Sequence, residues 1–116
     1  MPRTDKLSTY RTTWAQKGGD VTVTYASTVI VRASGDTVTL DSGGWRTVTT
    51  KRKMNQASNQ FALRFCVFQR KGDWYVDIKR NNGELSTNPD ASYWLGLDIP
   101  FVDGMTFNIW TGELTR

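Results

Sequence analysis

The sequence has no histidine, so it lacks the commonest general base, the commonest metal ligand and any Ser-His or Cys-His nucleophilic pair. Its one cysteine, Cys66, rules out an internal disulfide, and with no histidine beside it a tetrahedral N/S zinc site is excluded too. No apolar run approaches the roughly 20 residues of a membrane helix, and the opening Met-Pro-Arg-Thr-Asp-Lys has no hydrophobic signal region. The glycine-rich stretches Lys17-Gly-Gly19 and Asp41-Ser-Gly-Gly44 lack the spacing of a P-loop or dinucleotide fingerprint. These absences lead us to expect a non-secreted, cytoplasmic chain that binds rather than catalyses, with no metal, no cofactor and no membrane partner.

Large apolar side chains are plentiful. Hydrophobic residues make up 38% of the 116 positions, and there are five tryptophans. A chain of this length buries roughly two-thirds of its unfolded surface, enough for one modest core. We expect a single domain over 1–116, with 1–18 a partly ordered lead-in. Trp14, Trp74, Trp94 and Trp110 are assigned mostly to the core, with one or two tryptophans left for an interface.

Periodicity supplies the elements. Val21-Thr-Val-Thr-Tyr25 alternates as a half-buried strand, Thr28-Val-Ile-Val-Arg32 reads as another, and Ser34-Gly-Asp36 turns the chain into Thr37–Leu40. From Thr47 to Phe61 the period becomes helical: Thr50, Met54, Ala57 and Phe61 share one face, and a threonine at 47, 49 or 50 serves as cap. Phe65 and Val67 alternate with Arg64, Cys66 and Phe68, placing Cys66 mid-strand as an inert core thiol. Trp74, Val76 and Ile78 then alternate with Tyr75, Asp77 and Lys79 to complete a hairpin, and Met105–Trp110 suits a closing strand. The expected fold is α+β: a strongly twisted antiparallel sheet or partial barrel of about five to seven strands, packed by one helix at roughly 47–60.

Charge is unevenly distributed. Residues 43–82 hold nine cations against two anions, whereas 83–116 hold one cation against five anions. A basic block beside an acidic one suits a phosphate-bearing or acidic partner.

Two stretches, Gly43-Gly-Trp-Arg-Thr-Val-Thr-Thr-Lys-Arg-Lys-Met-Asn-Gln56 and Val67-Phe-Gln-Arg-Lys-Gly-Asp-Trp-Tyr-Val76, resemble a family of small proteins encoded by tailed bacteriophages and related mobile elements. The resemblance implies a phage-derived protein acting in the bacterial host cytoplasm. It brings no activity with it.

Two constellations stand out as nucleic-acid or phosphate contacts. With Thr50, Met54, Ala57 and Phe61 turned inward, the helix presents Arg52, Asn55, Gln56 and Asn59, with Lys51 and Lys53 at the borders. That set pairs with guanine and adenine edges in a major groove. Arg46, Thr49, Thr50 and the helix amino end could hold a phosphate, and Trp45 offers a stacking surface for a base. The second constellation is the hairpin, with Arg70 and Lys71 at its tip and Tyr75, Lys79 and Arg80 along its return. Cations there also serve simply to keep a sheet edge from aggregating.

The leading expectation is therefore a non-enzymatic accessory protein that binds DNA or RNA, with homodimerisation left open. The alternative is an anti-defence factor that sequesters a signalling nucleotide or binds a host protein. A third reading, a metal-dependent nuclease built on Asp77-Ile-Lys79, rests on three residues that are read more simply as a surface ion pair.

Overall fold

A computed structural model describes residues 11–44, 46–79 and 96–115. The alternating segments pair as expected and assemble into two antiparallel sheets. Strands β1 (Thr12–Lys17), β2 (Asp20–Tyr25), β3 (Thr28–Ser34), β4 (Thr37–Leu40) and β8 (Met105–Asn108) form the larger sheet, in the order β1-β2-β3-β4-β8. Strands β5 (Phe65–Arg70), β6 (Asp73–Ile78) and β7 (Ile99–Pro100) form the smaller one, in the order β5-β6-β7. Helix α1 (Val48–Phe61) packs on β5 from one side and on β2 and β3 from the other.

One hydrophobic core joins the three elements. Val21, Val23, Val31, Val38, Leu40 and Phe107 from the large sheet meet Met54 and Ala57 of α1 and Phe65, Val67, Trp74 and Val76 of the small one. Phe65 and Phe107 contact edge to face across the two sheets, their ring centres 5.9 Å apart. The register shifts between Val23 and Thr24 on β2, and Ile30 of β3 is buried beside this irregularity.

The α+β class and the single helix agree with the sequence reading, and four details refine it. The expected lead-in over 1–18 lies outside the described residues as far as 10, and from Thr12 it is strand β1, paired with β2 from Thr12↔Tyr25 to Lys17↔Asp20. Eight strands are present among the described residues, in two sheets that do not close. The closing strand stops at Asn108, so Ile109 and Trp110 lie in the turn beyond it. Of the tryptophans assigned to the core, Trp74 is buried, Trp14 and Trp110 are 37% and 47% exposed, and Trp94 lies outside the described residues.

Candidate functional site

Thr47 caps α1, its hydroxyl accepting the Thr50 N–H at 3.1 Å. From there the helix runs antiparallel to β5, and its polar side chains line up with alternate β5 residues. Lys51 Nζ donates to Gln69 Oε1 at 3.2 Å. Asn55 Nδ2 donates to the Val67 carbonyl at 2.9 Å, while the Val67 N–H donates to Asn55 Oδ1 at 2.7 Å. Ser58 Oγ donates to the Phe65 carbonyl at 2.6 Å and accepts the Phe65 N–H at 3.0 Å. Asn55 and Ser58 thus satisfy an edge that would otherwise expose unpaired backbone donors and acceptors.

This arrangement corrects the expected outward face. Thr50, Met54 and Ala57 are buried and Phe61 is half-buried, as read, but Lys53 and Gln56 are only 3% and 5% exposed. Helix α1 lies between two sheets, so more than one stripe of it is covered. The Lys53 ammonium sits 5.3 Å from the centre of the Tyr25 ring, and burial pulls its pKa below the ordinary lysine value. Asn55 is committed to Val67. Thr49, Arg52 and Asn59 remain exposed on the helix.

At the hairpin tip, the acidic third of the chain folds back on the basic block. Arg70 grips Asp98 through both terminal nitrogens, at 3.0 and 3.3 Å. Hydrogen bonding to Asp98, and then its charge, raise the Arg70 pKa. The same guanidinium overlies Phe68 and half-buried Tyr75, which stack on each other 5.7 Å apart. Arg46 lies 5.0 Å over Phe101 and 4.0 Å from Asp103. Lys71 is exposed in the turn. Trp45 and Arg80 lie outside the described residues.

The far end of the hairpin is different. Arg64 Nη2 donates to the Lys79 carbonyl at 2.8 Å and its Nε to the Ile109 carbonyl at 3.1 Å. Its guanidinium stacks 4.1 Å over the Trp110 ring, whose Nε1 donates to Asp36 at 3.3 Å. With Ser58, Asn59, Ala62, Lys79 and Ile109, these two residues line a groove of about 450 Å³, and among the described residues no carboxylate lies in its wall. The fold thus brings Asn59 and Lys79 together and adds Arg64 and Trp110, which the sequence reading did not select. Arg64 had been read only as a strand residue and Trp110 as core.

A second recess, of about 410 Å³, opens between the β2–β3 turn and the amino end of α1. Arg11, Tyr25, Ser27, Thr28, Ser42 and Thr47 line it, and again no carboxylate does among the described residues. Gly43, at φ +64°, lies close against Thr28 of this lining: a Cβ there would stand 2.5 Å from Thr28 Oγ1. Asp103 holds the neighbouring Ser42 through its N–H at 2.8 Å and its hydroxyl at 2.7 Å.

Asp77 is not the surface ion-pair partner that was expected. It is 6% exposed, and its carboxylate accepts backbone N–H groups from Ile78, Gly96 and Leu97 at 2.8–3.1 Å. Those bonds tie the chain's return at Gly96 to β6 and engage the oxygens that a nuclease would turn to a metal. Among the described residues, no group of three or more His, Cys, Asp or Glu is placed to hold a metal ion. Cys66, half-buried rather than in the core, has its thiol pushed up to about 11 by burial and then by Asp77.

Fold and recesses together define an open two-sheet α+β domain carrying a basic groove at one end of its helix and a hydroxyl-lined cleft at the other. The chain matches the Kyanoviridae Gp96 protein family over residues 3–108, and it belongs to that family. It is thus a phage-family protein. No curated protein and no solved structure matches it. Among the described residues no helix is long and apolar enough to cross a membrane.

Proposed function

We propose that this phage protein is a non-enzymatic nucleic-acid-binding protein. In this reading a phosphodiester chain lies along the exposed side of α1, past Arg52 and Asn59, and enters the groove between Arg64, Lys79 and Trp110. Arg52 and Asn59 are seven residues apart, two turns of helix, and so share a face about 10 Å long. The observation that carries the reading is the groove itself: two cations and an exposed aromatic ring in one recess, with no carboxylate among the described residues that line it. Cation and ring side by side are what a nucleic-acid backbone and its bases engage. The hairpin tip contributes less, because Asp98 already holds Arg70.

The test is an anisotropy titration of a labelled oligonucleotide at increasing salt. Contacts from Arg52, Arg64 and Lys79 predict a slope of log K against log salt of about −2 to −3. A flat response removes the proposal.

A second reading has its own observation in the cleft of about 410 Å³, whose wall combines Arg11 with several hydroxyls. That volume lies within the range of small-ligand sites and suits a nucleotide held in an anti-defence role. Thermal stabilisation by free nucleotides, with no retention of an oligonucleotide, would favour it over the first.

A further inference from the structure

The Trp110 indole is held before any ligand arrives. Its Nε1–H is donated to Asp36, its backbone N–H to Asn108 Oδ1 at 2.8 Å, and the Arg64 guanidinium lies against the ring at 4.1 Å. Even so, the residue stays 47% exposed at the mouth of the groove. A large ring that is fixed yet open to water loses little rotamer freedom when a flat partner covers it.

Chemistry around the ring narrows what that partner is. The groove, at about 450 Å³, is in the size range that takes a small organic group. Lys79 and Arg64 sit beside it as cations, and Asn59 adds an exposed amide that can both donate and accept. A ring, two cations and an amide fit a nucleobase whose neighbouring phosphates lie on the rim. A base inside a duplex already has both faces stacked and cannot enter such a recess.

Building on the nucleic-acid reading above, we propose that the groove takes single strands, with one unstacked base seated on the Trp110 face that Arg64 does not cover and its flanking phosphates met by Lys79 and Arg64. Duplex then has only phosphate contacts along α1. Single-stranded DNA and RNA share this chemistry, since every base has a π-face.

The test uses the full chain with fluorescein-labelled single-stranded DNA, single-stranded RNA and duplex DNA, each about 12 nucleotides or base pairs long, within the usual site sizes of such binders. At one moderate salt concentration, a single strand of either sugar should bind about tenfold tighter than duplex, and Trp110→Ala should weaken single-strand binding by about tenfold. Trp110→Phe should keep most of the affinity. Trp110→Leu retains an apolar cover for Arg64 but no ring, and should show the alanine loss even if the alanine variant does not fold.

Duplex bound as tightly as single strands overturns the inference, as does a Trp110→Leu variant with wild-type affinity. Either result leaves the broader reading standing, because binding persists. No binding of any of the three polymers at low salt removes both.

Discussion

Asn55 of α1 and Val67 of β5 exchange two hydrogen bonds, Nδ2 to carbonyl at 2.9 Å and N–H to Oδ1 at 2.7 Å, as two paired strand residues would. A side-chain amide carries the same donor and acceptor as a peptide group, so one asparagine can replace one strand residue. Ser58 repeats the device at Phe65, while Lys51 adds a side-chain bond to Gln69 Oε1. Polar residues that looked like a recognition surface are therefore the means by which the helix docks.

Asn55→Ala should thus cost stability rather than affinity. It leaves a backbone donor and a backbone acceptor on β5 without partners, at about 1–3 kcal/mol each, partly relieved by water at a half-exposed edge. We expect a loss of about 2–3 kcal/mol in urea unfolding, with oligonucleotide affinity per folded molecule unchanged. A variant of wild-type stability and weakened binding would return Asn55 to the ligand.

The strand alternations, the helix with its Thr47 cap, and the inward Thr50–Met54–Ala57 stripe were legible because each depends on local periodicity. Strand β1 was not, since Thr12–Lys17 has only Trp14 as a large apolar residue and takes its conformation from pairing with β2. Lys53 and Gln56 look solvated on a helical projection and are covered because a second sheet packs on that side. Arg64 and Trp110, 46 positions apart in sequence, meet only when β8 returns beside β4. Charge asymmetry was visible, but its partial cancellation by Asp98 and Asp103 depends on the fold.

Gly43 offers a test of the cleft wall. Alanine there would hold φ +64° against its preference and push a methyl to 2.5 Å from Thr28 Oγ1 and 2.9 Å from its Cγ2. Strain and overlap together should cost about 2–3 kcal/mol. In a Thr28→Ala background the overlap shrinks while the backbone strain stays, so the two changes should cost less together than their sum. Thermal or denaturant unfolding of the four proteins measures that coupling. Strict additivity would mean that the loop carrying Gly43 does not press on β3.

Cys66 should behave as an unreactive thiol. Raising its pKa from 9.0 to about 11 leaves roughly a hundredfold less thiolate at pH 8. Labelling of the folded protein by a disulfide reagent should be slow at pH 8 and climb steeply towards pH 11, whereas the urea-unfolded chain reacts at once. Because the folded state holds this proton more tightly, the thiol's contribution to stability is complete below pH 9 and is withdrawn as pH rises through about 11. Prompt labelling of the native protein at pH 8 would contradict the burial.

Arg52 and Lys53 are sequence neighbours with opposite expected fates. Arg52 is exposed on the helix, so Arg52→Ala should change stability by no more than about 0.5 kcal/mol, while lowering oligonucleotide affinity and reducing the salt slope by about one. Lys53 is buried against Tyr25, so Lys53→Ala should remove packing by its alkyl stem and cost about 1–2 kcal/mol with little effect on binding. Lys53→Met keeps the stem and removes the desolvated ammonium, and should equal or exceed the wild type in stability at neutral pH. Since burial holds the folded-state pKa below 10.5, the penalty is full while both states are protonated and fades as pH climbs towards 10.5. The advantage of Lys53→Met should therefore shrink over that interval. If Lys53→Ala instead weakened binding at unchanged stability, the ammonium would belong to the ligand surface and α1 would not be enclosed on its second side.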